Sequence, residues 1–225
     1  MILRAKTKDL KQTRKLDAIR EKNSALNLRE LEENAAEIAS YPRRLVLELT
    51  SACNLQCVMC GRMKKEFRNT YFDINLLNYL APVLEKCEEV TLFGWGEPTL
   101  HPQFDEIIKH LHQYNLRKYF VTNGTLLHKF IPQIFDYEID IIAVSLDGAR
   151  EATNSAIRSG SDFALIVSNL KQLVAEKNKR HKNYPYINFV FTAMQSNIKE
   201  LPELISLAAD IGLEEVKVVF LTVFD

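Results

Sequence analysis

The chain has 225 residues, 47% hydrophobic and 26% charged, the composition of an ordinary globular protein with one large domain or two small ones. Lys plus Arg and Asp plus Glu number 29 each, so bulk charge gives no argument for a nucleic-acid partner. No apolar run approaches the roughly 20 residues that span a bilayer and the N-terminus lacks an apolar signal core, so the expectation is a cytoplasmic protein with no membrane partner.

Residues 1–41 read as a helical arm. The first 22 carry Arg4, Lys6, Lys8, Lys11, Arg14, Lys15, Arg20 and Lys22 against Asp9, Asp17 and Glu21, with Leu10, Leu16 and Ile19 as a thin apolar stripe. A solvated, partly helical segment is the plain reading, and contact with an anionic partner or substrate the other. From 27 to 40, Leu28, Leu31, Ala35, Ile38 and Ala39 recur at helical spacing, with Asn27 as cap and Glu30 three residues on. Tyr41-Pro42 ends that helix, which is expected to pack on the outside or one end of the next domain.

The first strand, 44–50, is apolar at 45, 46, 47 and 49 and delivers Cys53, Cys57 and Cys60 into a loop. A helix over 73–86 capped by Asp73 follows, then a strand at 89–93, a helix at 103–113 and a strand at 116–121. A helix near 126–136 precedes a fourth strand at 139–146. A longer helix at 162–179 precedes a fifth strand at 186–193. Asn197 or Ser196 caps a helix to 211, closed by Gly212, and a sixth strand at 215–221 or so finishes the chain. This alternation predicts an α/β fold with a parallel sheet. A full eight-unit barrel takes roughly 250 residues, so the six strands from residue 44 make about three-quarters of one.

Three of the four cysteines lie within eight positions, spaced C-x3-C-x2-C, and without a secretory signal they read as metal ligands rather than disulfides. Three thiolates suit zinc or an iron–sulfur cluster. Structural zinc wants four protein ligands, and His101, the nearest downstream, lies beyond the next strand. Cys87, near a helix end, reads as a packed thiol and becomes a fourth ligand only if the fold returns it to the loop. A [4Fe–4S] cubane held by three cysteines leaves one iron free for an exogenous ligand. Further polar clusters follow successive strands: Gly94-Trp95-Gly96-Glu97-Pro98, Thr122-Asn123-Gly124 and Ser145-Leu146-Asp147-Gly148. Each alone is ordinary turn chemistry. Together, at the carboxyl ends of parallel strands, they ring one pocket.

C-x3-C-x2-C after the first strand of a barrel is the signature of the radical SAM enzymes, which the sequence resembles from about residue 42 to its C-terminus. The likeness is to the branch that often carries SPASM or twitch-like domains. It implies a (βα)6 partial TIM barrel over 42–225, here without the C-terminal extension of many relatives. It also implies a [4Fe–4S] cluster on Cys53, Cys57 and Cys60, with S-adenosylmethionine on its open iron. A reductant such as flavodoxin or ferredoxin would supply the electron that breaks the C5′–S bond. The resulting 5′-deoxyadenosyl radical would take a hydrogen from a peptide or small sugar-like substrate.

The resemblance extends to site residues. Gly94, Gly96 and Glu97 match the family's Gly-Gly-Glu-Pro element, whose carbonyls and carboxylate accept from the cofactor's α-ammonium. Trp95 replaces a small residue there and points either towards substrate or under the loop. Thr122 and Asn123 fall near the methionyl part, although Asn123 equally reads as a left-handed turn residue before Gly124. Ser145 matches a cofactor contact, and Asp147 a contact or a turn cap. The stretch 156–163 resembles the branch's Ile-Arg-Gly…Ser-Phe element, where Arg158 clamps the methionine carboxylate or forms a structural ion pair. Met59 stands where relatives place an aromatic near adenine. His101 reads as a turn residue rather than a base. The other readings are a non-catalytic iron–sulfur or zinc module and an interaction scaffold using the basic arm.

Overall fold

Period-two apolar runs joined by amphipathic helices bury best as a sheet with helices on one face. The structure, a computed structural model, describes residues 14–64 and 68–221. Its strands are β1 (Arg44–Leu47), β2 (Gln56–Cys57), β3 (Glu89–Leu92), β4 (Arg117–Thr122), β5 (Ile141–Ser145), β6 (Arg158–Ser159), β7 (Tyr186–Ala193) and β8 (Glu215–Phe220). Its helices are α1 (Ala18–Glu32), α2 (Leu76–Tyr79), α3 (Ala81–Leu84), α4 (Phe104–His112), α5 (Ile131–Asp136), α6 (Glu151–Ile157), α7 (Phe163–Lys179) and α8 (Leu201–Ile211). Six strands form one sheet in the order β1-β3-β4-β5-β7-β8, every pair parallel. Each connection therefore steps one strand along, as in a TIM barrel, and the six strands make a partial one. Among the described residues no helix is long and apolar enough to cross a membrane.

One face of the sheet carries the core. Val90, Leu92, Phe120, Ile142, Val144, Ile187, Phe189 and Phe191 meet the helices there. Spacing decides which helix residues join them: in α4, Phe104, Ile107, Ile108 and Leu111 fall on one side and are buried. Phe104 packs edge-on against Phe120 and Phe130, with centroids 5.6 and 4.9 Å away. The alternate residues face the lumen, whose base is polar. Glu89 pairs there with Arg44 at 3.1 Å and Arg117 at 3.4 Å, while Glu215 accepts from Tyr186 and Asn188, each at 3.3 Å. Charge closes that end, and the opposite end is left for a site.

The N-terminal segment differs from its expected form. The helix starts at Ala18, where Asp17 caps it by accepting from the Arg20 amide at 3.0 Å, and stops at Glu32; residues 33–43 are irregular. Leu28, Leu31 and Ile38, whose spacing suggested a helix to residue 40, are exposed. The face that docks is polar instead: Arg20 donates to the carbonyls of Cys87 (3.0 Å) and Leu84 (2.7 Å), and Ser24 donates to Glu88. Asn23 grips the backbone of Tyr41, and Glu30 accepts from the amides of Ala39 (2.8 Å) and Ser40 (3.2 Å). Thus Glu30 folds the following segment back rather than completing a box with Asn27. Arg14 reaches Glu138 at 3.0 Å and Asp140 at 3.4 Å, just before β5. These contacts lie at the amino ends of the strands, and Arg14 and Arg20 are held by protein acceptors rather than solvated. Arg4, Lys6, Lys8 and Lys11 lie outside the described residues.

Three expected helices are broken by proline, which lacks the amide an interior turn requires. The helix expected at 73–86 becomes α2 and α3, with Pro82 in the first turn of α3. Those expected at 126–136 and 197–211 open as 3-10 turns over Leu127–Phe130 and Ile198–Glu200, then continue as α5 and α8 with Pro132 and Pro202 in their first turns. Gly212, at φ +90°, closes α8 in the left-handed conformation. Neither α6 nor the β2–β6 ribbon was expected.

Candidate active site

The site begins with the cysteine loop, anchored at both ends. On its entry side, Thr50 Oγ1 accepts from the Ala52 amide at 2.9 Å and donates to the Thr70 carbonyl at 2.7 Å, while Ser51 Oγ donates to the Arg68 carbonyl at 2.7 Å. On its exit side, β2 and β6 pair antiparallel, placing Cys57 opposite Arg158, and the Val58 amide donates to the Ile157 carbonyl at 2.9 Å. The ribbon therefore carries the 156–163 stretch directly to the thiols.

The loop after β3 presses against the entry side. A Cβ on Gly96 would lie 2.1 Å from the Thr50 carbonyl oxygen and 2.4 Å from that of Ala52, so only glycine fits. The next amide, Glu97 N, donates to the Ala52 carbonyl at 2.8 Å. A Cβ on Gly94 would meet the Glu48 side chain, whose Oε1 accepts from the Trp95 amide at 2.6 Å. The close approach these glycines permit is thus first of all protein to protein.

These elements enclose a cavity of about 330 Å³ at the carboxyl ends of the strands. Ten residues singled out in the sequence line it: Cys53, Cys57, Met59, Cys60, Gly94, Gly96, Glu97, Asn123, Ser145 and Arg158. Phe93, Val121, Val190 and Val219 add apolar wall, and Trp95, 39% exposed, stands at the rim. Asp147 does not line the cavity; it lies behind Arg158.

Glu97 is 2% exposed. Its Oε1 accepts from the Thr99 amide (3.2 Å), Thr99 Oγ1 (2.6 Å) and Thr122 Oγ1 (2.7 Å), and its Oε2 from the Asn123 amide (2.7 Å). The carboxylate stitches two loops together, and Oε2 keeps capacity for one further donor. Burial pushes its pKa up, and the Asn123 amide and the threonine donors oppose that shift. Asn123 is not a left-handed turn residue: the positive φ belongs to Gly124, at +80°. Its Oδ1 accepts from Thr125, while its Nδ2 donates to Asn54 Oδ1 at 2.8 Å and lies 4.0 Å from Cys53 Sγ.

Arg158 forms the ion pair weighed for it and also reaches the thiols. Its Nε lies 2.8 Å from Oδ2 of the fully buried Asp147, an ion pair, while Nη1 lies 3.8 Å from Cys57 Sγ. Asp147 Oδ1 accepts from the Thr192 amide at 2.6 Å, and Asn154 and Asn197 fix its backbone. Asn197, expected to cap the helix to 211, makes no cap bond and braces the Asp147 and Thr192 carbonyls instead, and Asn154 carries no signal in a single sequence. His101 is a buried turn residue, bonded to the Phe72 carbonyl and the Gln103 amide.

All three loop thiols are free and half-buried. Burial raises the Cys53 and Cys57 thiols; the Leu55 amide offsets part of this for Cys53, and the Arg158 guanidinium for Cys57. Among the described residues, no three His, Cys, Asp or Glu side chains converge closely enough for a single metal ion. Cys87 is fully buried in the core at the amino end of β3, opposite the loop, and burial pushes its thiol up to about 11. The donor set among the described residues is thus three thiols around a cavity with no fourth protein ligand beside them, which fits a cubane with one open iron.

The sequence model of the Radical SAM superfamily matches residues 47–208. The chain belongs to the radical SAM superfamily. The match runs from β1 into α8 and includes every cavity-lining residue named above except Val219. Radical SAM enzymes use a [4Fe–4S] cluster and S-adenosylmethionine. The tungsten-containing aldehyde ferredoxin oxidoreductase cofactor-modifying protein of Pyrococcus furiosus is 28% identical over 174 residues, 76% of this chain and 49% of that protein. Mycofactocin maturase MftC of Mycobacterium tuberculosis is 28% identical over 181 residues, 76% of this chain and 43% of that one. Streptococcus suis SuiB bound to S-adenosylmethionine shares the fold, with TM-score 0.69 over 91% of this chain and 46% of that chain, at 17% identity. This radical SAM chain spans about half the length of the curated relatives it matches.

Proposed function

We propose that the chain is the catalytic barrel of a radical SAM enzyme, with a [4Fe–4S] cluster on Cys53, Cys57 and Cys60 and S-adenosylmethionine in the adjoining cavity. One observation carries this reading: three free, half-buried thiols line the same cavity as the Gly94–Glu97 loop, Asn123, Ser145 and Arg158. The chemistry supplied when both groups are bound is reductive cleavage of the C5′–S bond, giving a 5′-deoxyadenosyl radical that takes a substrate hydrogen.

The chain's own part is binding, orientation and exclusion of water. The carbonyls of the Gly94–Glu97 loop and Glu97 Oε2 receive the cofactor's α-ammonium. Arg158, braced by Asp147, receives its carboxylate. Asn123 and Ser145 flank the methionyl portion, Met59 the adenine, and Val121, Val190 and Val219 keep water out. Residues 1–41 form a separate N-terminal unit before the barrel of 42–225, with α1 docked at the amino ends of the strands. The substrate is a peptide or a small sugar-like molecule; SuiB has been solved bound to its precursor peptide SuiA, which favours the peptide. The setting is cytoplasmic, with flavodoxin or ferredoxin as reductant.

Anaerobic reconstitution with iron and sulfide tests the ligand set. About four irons and four sulfides per chain are expected, lost on Cys→Ser change at 53, 57 or 60 and kept in Cys87→Ser. One zinc per chain with no acid-labile sulfide would instead establish a structural metal module.

A further inference from the structure

Three charged side chains line the cavity: Arg62, Glu97 and Arg158. Two of them are already compensated by the protein, Glu97 by its four donors and Arg158 by Asp147 at 2.8 Å. Arg62 is not. It sits on the 3-10 turn Gly61–Lys64, two residues beyond Cys60, and is half-buried. Its Nε is enclosed, and among the described residues no acceptor reaches it and no acidic side chain pairs with it. A guanidinium keeps its charge at any working pH, and an enclosed charge calls for a counter-charge. It lines the same cavity as Cys53, Cys57 and Cys60.

We propose that Arg62 is an electrostatic tuning residue, whose guanidinium raises the reduction potential of the cluster held by Cys53, Cys57 and Cys60. A cluster bound by three thiolates gains one further negative charge on reduction, so an adjacent uncompensated cation stabilises the reduced state. Arg158 lies 3.8 Å from Cys57 Sγ and acts in the same direction there, but its guanidinium is also held by Asp147 at 2.8 Å. Donors at Cys53 act in the same direction, the Leu55 amide at 3.5 Å and Asn123 Nδ2 at 4.0 Å, but neither carries a net charge. The inference rests on the cluster reading above. Failure of that reading would appear as wild type taking up no iron and sulfide, before any potential is measured.

The test is a redox titration of the reconstituted full chain, followed by electron paramagnetic resonance, with neither S-adenosylmethionine nor substrate present. Arg62→Gln is expected to lower the equilibrium constant for one-electron reduction about tenfold, a shift of about 59 mV to more negative potential. Arg62→Lys should stay within about threefold of wild type, and Arg29→Gln, on the exposed face of α1, should not move it. An unchanged potential in Arg62→Gln with an intact cluster would overturn the proposal. So would an equal drop in Arg62→Lys, which keeps the charge. If Arg62→Gln folds normally by circular dichroism but takes up no cluster while Arg62→Lys does, the charge serves cluster assembly rather than the potential, and the tuning proposal is overturned. Loss of fold in Arg62→Gln, or of the cluster in both variants, would make Arg62 structural and overturn it.

Discussion

Gly96→Ala is a sharp structural perturbation of the cysteine loop. The added methyl would lie 2.1 Å from the Thr50 carbonyl oxygen and 2.4 Å from the Ala52 carbonyl oxygen. Both are backbone atoms on the segment leading to Cys53, so the clash cannot be relieved by a side-chain rotation. Forcing the loops apart costs about 1–3 kcal/mol as overpacking. The Glu97 N to Ala52 O bond, 2.8 Å long, is lost with it, adding about 1 kcal/mol. A total near 3 kcal/mol in a domain of this size corresponds to a Tm lower by about 9 °C. Cluster uptake should fall as well, because Ala52 adjoins Cys53. Gly94→Ala provides the contrast: the three atoms nearest its methyl belong to the exposed Glu48 side chain, which can turn aside at the cost of its bond to the Trp95 amide, about 1 kcal/mol. The assay is thermal unfolding of both apo variants, with iron per chain after reconstitution. Equal Tm values for the two variants, or normal cluster uptake in Gly96→Ala, would refute the claim that this glycine sets the cysteine loop.

Arg158→Lys keeps the charge but loses the planar fork, so S-adenosylmethionine affinity should fall by about 1–3 kcal/mol by calorimetry on the cluster-loaded protein; unchanged affinity would leave Arg158 only its pairing with Asp147. Asp147→Asn removes the partner of a buried guanidinium and should lower stability by about 2–4 kcal/mol in urea unfolding, with loss of the β2–β6 ribbon; a loss under about 1 kcal/mol would show that the pair does not hold it. Acid should release α1. Burial raises the Asp17 and Glu88 carboxyls, but hydrogen bonds to Arg20 and Asn115 for Asp17, and to Arg43 and Ser24 for Glu88, outweigh it and leave both below their ordinary values. Their stabilisation is therefore complete at neutral pH and lost as pH falls through the lowered folded values, below about pH 4. Hydrogen exchange in α1 that rises there ahead of the β-sheet would fit, and exchange that rises in step with the sheet would not.

What was legible in the sequence is what local chemistry decides. Short apolar runs such as 90–93, 119–121 and 141–144 mark the strands, and the motif residues each follow such a run, so their convergence at one end of the sheet follows from parallel topology. α1 was misplaced because its docked face is Arg20, Asn23, Ser24 and Glu30, buried against carbonyls and a carboxylate supplied by distant segments. A periodicity of apolar residues cannot report a polar interface. The β2–β6 ribbon is two residues per strand, too short for any period, yet it decides that Arg158 meets Cys57. The helix breaks at Pro82, Pro132 and Pro202 were readable from proline chemistry alone. The braces behind the site, Asn54, Asn154 and Asn197, act across 71, 7 and 50 residues of chain and leave no local mark.

The most direct measurement of the central claim is formation of 5′-deoxyadenosine from S-adenosylmethionine by the anaerobically reconstituted chain under strong reductant. Chromatography of the quenched reaction should show product that depends on reductant and disappears in Cys53→Ser, Cys57→Ser and Cys60→Ser. Glu97→Gln should keep the cluster spectrum but form product far more slowly at limiting cofactor. Wild-type protein carrying both the cluster and bound S-adenosylmethionine, yet forming no 5′-deoxyadenosine, would contradict the assignment of radical chemistry to this barrel.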